Sequence, residues 1–326
     1  MTDPLFQAFL AQHDDGAWHR AADRLRLAMH PVDRAATRIW LHFFPLRLQR
    51  ALDTSPDAAS LAHHLRLAGR WRLADQRDTS HWFLYGHRYW PAVRDVVRQF
   101  AARPVAPGSL DLGAQIQEMA RAAASRLAVD ASWLVGITVV AVRTLQQAGL
   151  PESDIATPAG GTGPLIGVAG DNPDRLAARR EANDSQGMFG FLRGGRRQWT
   201  VTFDERPPRR GFRLIETQHL TTAAALDRRH YRGADQRCTE GPIPTQCRTC
   251  SCGACWVGIL AGAAKLSPVD GRERTALAAF GYSDTREPHP DIRLACMAET
   301  RGAVTIVIPP WNGQVGERLE AARRRG

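Results

Sequence analysis

Lysine is almost missing from this chain. Of its 43 basic residues only Lys265 is not an arginine. So uniform a bias reflects base composition as much as function, and the arginines are read here for charge, not as a motif. Long apolar runs are missing too. The longest, "SWLVGITVVAV" over 132–142, is too short to cross a bilayer and predicts a buried helix. The opening "MTDPLFQAFLAQHDDG" has neither a basic start nor a long apolar stretch, which argues against a secretory leader and predicts a cytoplasmic protein. Glycine is plentiful over 151–195, but no Gly-Lys-Ser/Thr follows and the spacing is not G-x-G-x-x-G, so a phosphate-cradling loop is not expected there. The chain has no C-x-x-C-H and no nucleophile with an evident acid–base partner, and its helical half has no E-x-x-H pattern and no repeat period. A stand-alone enzyme is therefore not the expectation.

What is present is material for two domains: 326 residues, 44% of them hydrophobic. Residues 1–150 read as all-helical. "GAWHRAADRLRLAMH" sets Trp18, Ala22, Leu25 and Met29 on one face, and Pro31 is expected to end that helix. Ile39, Trp40 and Phe43 form the next stripe, with a break expected at Pro45. "SPDAASLAHHLRLAG" opens with Ser55 as cap and stops near Gly69. The segment 111–149 predicts two further helices joined near Asp130. Residues 151–195 are rich in Gly, Pro, Asn and Asp and read as an irregular connection. From 196 to 326 the period changes to two. "RQWTVTFDE" puts Trp199, Val201 and Phe203 on one face, "RPPRRG" turns, and "GFRLIETQ" brings Phe212, Leu214 and Ile215. That is a β-hairpin. "LTTAAALDRR" follows as a helix capped by Thr221 or Thr222, and "GAVTIVIPP" as a closing strand. The fold class expected is α+β.

Between that helix and strand lies "QCRTCSCGACW". Four of the six cysteines, Cys247, Cys250, Cys252 and Cys255, fall within nine residues; Cys238 precedes them and Cys296 follows with 40 residues between it and Cys255. Clustered thiols in a reducing compartment point to metal or redox chemistry. Cys247, Cys252 and Cys255 keep the spacing C-x4-C-x2-C, and with distant Cys296 they make the plant-type pattern for a [2Fe–2S] cluster. A two-iron rhomb needs two thiolates on each iron. A tight loop can supply three, and the fourth approaches from another part of the chain. Zinc is the rival, because Cys247/Cys250 and Cys252/Cys255 are both C-x2-C pairs; but one residue separates them, where zinc sites keep their pairs apart. The C-x2-C-x2-C run of a [4Fe–4S] site is absent.

In these elements residues 196–312 resemble the [2Fe–2S] ferredoxin superfamily: the hairpin, the helix "LTTAAALDRR", the loop "CRTCSCGAC", "RLAC" and the strand "AVTIVIPP". The resemblance implies a β-grasp domain, with Cys247 and Cys252 on one iron and Cys255 and Cys296 on the other. It implies one-electron transfer to or from a protein redox partner. It also places glycine where this chain has Cys250, so the backbone there is expected at positive φ, against the side chain. The extra length before Cys296, "LSPVDGRERTALAAFGYSDTREPHPD", is expected as a loop-and-helix excursion. Cys238 and Cys250 are left as spare thiols.

The net charge is +10, and residues 196–326 carry 21 basic against 14 acidic residues. This predicts an acidic docking surface on the partner and salt-weakened docking, and is compatible with peripheral association with an anionic membrane surface. Nucleic acid is disfavoured: the arginines are scattered and no recognition motif appears. Arg323–Arg325 read as a solvated tail. In the helical half, eight of eleven histidines lie before residue 88, densest with the aromatics of "DTSHWFLYGHRYWP". That half is expected to dock or scaffold. An alternative is an oxidoreductase whose helical domain binds substrate or a second cofactor such as haem; another is an iron–sulfur redox-sensing regulator.

Overall fold

The computed structural model describes residues 2–42, 55–57, 60, 81–103, 111–148, 172–182, 197–205, 208–232, 238–279 and 287–308. The expected helix after Ser55 and the basic tail lie largely or wholly outside them, as do Pro45 and most of 151–195. The described residues are 51% helical and 14% strand, with one five-stranded sheet. The chain divides into two compact units, Met1–Leu46 with Asp78–Asp174, and Arg47–Arg77 with Arg175–Gly326.

The described elements of the first unit are helices: α1 Pro4–Ala11, α2 Asp15–Arg24, α3 Pro31–Leu41, α4 Trp90–Ala101, α5 Leu112–Leu127 and α6 Ser132–Ala148. Capping residues set their starts. Asp3 Oδ1 accepts from the N–H groups of Leu5 and Phe6, Asp14 from Ala17, and Asp111 from Ala114. The predicted stripe of Trp18, Ala22, Leu25 and Met29 is buried, but α2 stops at Arg24 and a 3₁₀ turn, Leu25–Leu27, carries the stripe on. Pro31 opens α3, because its missing N–H costs nothing in a first turn. α5 and α6 meet across Asp130, whose carboxylate accepts from Ser132 N–H. α6 packs against α3, α4 and α5. Its Leu134, Ile137, Val139 and Val140 are wholly buried, each contributing roughly 1.5–3 kcal/mol. Gly136 permits the close crossing with α3: a Cβ there would stand 2.6 Å from Thr37 Oγ1.

In the second unit the hairpin pairs β1 (Gln198–Asp204) with β2 (Arg210–Ile215), Val201 opposite Phe212 and Trp199 opposite Leu214. These four are buried, while Phe203 is half-buried and stacks on Phe212. The closing strand, β5 (Val304–Val307), runs parallel to β1 and antiparallel to β3 (Trp256–Ala261). β4 (Ile292–Leu294) pairs antiparallel with β3, completing the order β2-β1-β5-β3-β4. A ten-residue helix, α7 (Pro173–Ala182), stands inside the segment read as irregular. Asn172 accepts from Asp174 N–H and Pro173 takes the first helical position. Helix α8 (Leu220–Ala225) begins before the expected threonine caps. Its free N–H groups find carbonyls elsewhere: Leu220 donates to Ala298 and Thr221 to Ala295. Helix α9 (Gly271–Ala279) fills the extra length before Cys296.

Candidate metal centre

The β3–β4 register carries the distant cysteine to the loop. Trp256 pairs with Leu294, and Ala295 N–H donates to Cys255 O at 2.9 Å, so Cys255 and Cys296 stand at adjoining strand ends. A turn closed by Met297 N–H on Leu294 O bends the chain around Cys296, and the two donations from α8 fix the far side of that turn. The loop before the cysteines is anchored by Gly241 at φ 73; a Cβ there would lie 1.9 Å from Ala224 O at the end of α8.

The four predicted ligands shift one another's pKa mainly within two pairs, Cys247 with Cys252 and Cys255 with Cys296. Backbone N–H groups converge on the sulfurs. Thr249 and Ser251 each donate to Cys247 Sγ at 3.4 Å, Ala254 donates to Cys252 Sγ at 3.4 Å, and Cys250 N–H donates to Cys296 Sγ. Burial works against the Cys247 thiolate, but the Ser251 hydroxyl and these N–H groups outweigh it and bring the pKa down to about 5. Burial pushes Cys252 up. Within the inner pair the shared hydrogen bond raises Cys255 and lowers Cys296, so the proton stays on Cys255. Cys255 and Cys296 are buried, whereas Cys247 and Cys252 are half-buried and form the accessible side.

Cys250 stands apart from both pairs. Its φ is 65°, in the left-handed region expected there. Its buried thiol donates to Arg272 O at 3.8 Å, and burial, followed by the neighbouring Cys296, pushes its pKa up to about 12. Cys238 is also buried and donates to Pro242 O.

A second set of contacts braces this loop, and sequence reasoning missed it. Arg293 and Glu273 form a forked ion pair, Nε to Oε1 at 2.9 Å and Nη2 to Oε2 at 2.8 Å, with both side chains at most 1% exposed. Glu273 Oε1 also accepts from Leu294 N–H, and Arg293 Nη1 donates to Ser267 O. Arg272, beside Glu273 on α9, donates to Thr249 O in the cysteine loop at 2.6 Å. Helix α9 thus grips the loop and the strand leading to Cys296. Twenty residues separate Glu273 from Arg293, and no local pattern announces their pairing.

The histidine-rich stretch gives a different picture. His81 Nδ1 lies 2.6 Å from His87 Nδ1, and the His81 ring lies 4.0 Å from that of Trp90. The rings of His19 and His42 are 4.3 Å apart. Burial lowers the pKa of all four, to about 4 for His87 and about 3 for His42. His81 is buried and the other three are half-buried, and the lowered values keep all four neutral at pH 7. Among the described residues no three His, Cys, Asp or Glu side chains gather about one metal ion, in either unit. No protein-family model, curated protein or solved structure matches the chain.

Proposed function

We propose that residues 196–312 are a [2Fe–2S] domain of the β-grasp, ferredoxin-like kind, following an all-helical N-terminal domain, and that the protein passes single electrons to or from a protein partner. The pairing of thiols carries the proposal: Cys247 with Cys252 and Cys255 with Cys296. Two interacting pairs suit a group that asks for two thiolates on each of two irons, and they suit it better than a single ion asking for four donors about one point. The N–H groups of Thr249, Ser251, Ala254 and Cys250 are the donors that such a group's thiolates need as negative charge accumulates. A bound [2Fe–2S] cluster would supply reversible one-electron chemistry. The chain's own residues hold the four sulfurs, supply those donors and shield the Cys255/Cys296 side from water. The half-buried Cys247/Cys252 side is where a partner would come nearest, and the basic balance of 196–326 favours an acidic one.

The test is a matched pair of substitutions. Cys296→Ser should lose its iron and sulfide, while Cys250→Ser should keep both and still take up one electron per chain in a reductive titration. The reverse outcome would overturn the ligand set.

A further inference from the structure

The outer face of the β1–β2 hairpin carries an open cavity of about 350 Å³ that the proposed electron transfer does not use. The pairing of Thr200 with Arg213 and Thr202 with Gly211 sets these four on the face opposite the buried Val201, Phe212 and Leu214. Arg209, just before β2, and Arg210, its first residue, also line the hollow with Phe212, so three arginines border it. A Cβ on Gly211 would stand 2.8 Å from Val201 O, so this position takes glycine and adds no side chain to the hollow. The hollow lies on β2, the edge strand of the sheet, where a ligand can reach it.

Four arginines of this unit are paired with carboxylates. Arg180 pairs with Glu205, Arg229 with Asp227, Arg248 with Glu240 and Arg293 with Glu273. Arg209, Arg210 and Arg213 differ from these four. Among the described residues no carboxylate pairs with any of them, yet they share one concave site. Three exposed arginines match an anion of two or three charges, which a single carboxylate does not supply. Guanidinium forks fit phosphate oxygens two at a time, and the Thr200 hydroxyl adds a donor. The volume falls in the range of small-ligand sites. We propose that this cavity is a binding site for a diphosphate group, free or at the end of a nucleotide.

The test is calorimetric titration of the full chain with inorganic pyrophosphate and, separately, with ADP. Saturable binding of one pyrophosphate per chain is expected, weakening with added salt. Arg209→Gln, Arg210→Gln and Arg213→Gln should each weaken it about tenfold or more, and the triple substitution should abolish it. Tighter binding of ADP than of pyrophosphate would assign the site to a nucleotide, and equal binding to the diphosphate alone. In parallel, pyrophosphate should shift the amide NMR signals of Thr200, Gly211 and Arg213 in the unaltered protein, a readout that needs no variant to fold. Absence of saturable binding, or unchanged affinity in the triple variant, would overturn the assignment. Iron content is not read in this experiment, so its outcome is independent of the cluster.

Discussion

The helical unit and the sheet unit treat their polar chemistry in opposite ways. The first buries histidines in neutral form against aromatic rings, and its buried Asp33 serves the backbone N–H groups of Tyr85 and Gly86. The second gathers thiols with N–H donors directed at their sulfurs, half-exposes one pair of them, and buries a full ion pair behind them. One arrangement makes a core, whereas the other prepares sulfur to carry negative charge. A crowd of ligand-type residues is therefore not in itself a site: what distinguishes the two is whether donors are aimed at the ligating atoms.

Acid should separate the units most strongly. His42, His81 and His87 hold folded pKa values below the ordinary 6.5, so the unfolded chain takes up their protons first. Their contribution is constant above about pH 6.5. Below it, stability falls by about 1.4 kcal/mol per pH unit for each histidine until the folded values near 4 and 3 are reached for His87 and His42. Three such groups should make the helical unit markedly less stable by about pH 4. Hydrogen exchange should show the amides of α3 and α6 losing protection as pH falls below 6.5; protection that stays level to pH 4 would mean these histidines are not buried neutral.

The next largest effect belongs to the sheet unit. Glu273→Gln leaves Arg293 buried without its charge partner and should cost about 3–5 kcal/mol. Exchange should accelerate at Leu294 and Cys296 while Val97 and Ile137, in the helical unit, stay protected. Equal acceleration in both would break the distinction drawn between them. The smallest effect is expected at Cys250→Gly. Glycine relieves the positive φ but gives up a buried thiol, and the two nearly offset, leaving stability within about 1 kcal/mol by thermal melting and iron content unchanged.

Much of this was legible in the sequence. Amphipathic period placed α2, α3 and α6, Asp130 marked the joint of α5 and α6, and alternation placed the hairpin with its buried Trp199, Val201, Phe212 and Leu214. The positive φ at Cys250 was foreseen from the glycine it replaces. Other features were not. β3, in "WVGILA", is interrupted by Gly258 and follows directly on the cysteines, and β4 is only three residues long, so neither gives a period. α7 is short and polar, and only its Asn-Pro start could have betrayed it. The start of α8 was misplaced because tertiary carbonyls, not a side-chain cap, satisfy its N–H groups. Local signals carry helices and hairpins, while long-range donors and buried pairs leave no trace at short spacing.

The measurement that tests the central claim most directly is anaerobic purification of the full chain with iron and acid-labile sulfide quantified and EPR recorded after reduction. Two irons and two sulfides per chain with a rhombic reduced signal are expected from the paired thiols. A preparation that holds zinc alone, or no metal after anaerobic reconstitution with iron and sulfide, would contradict the account.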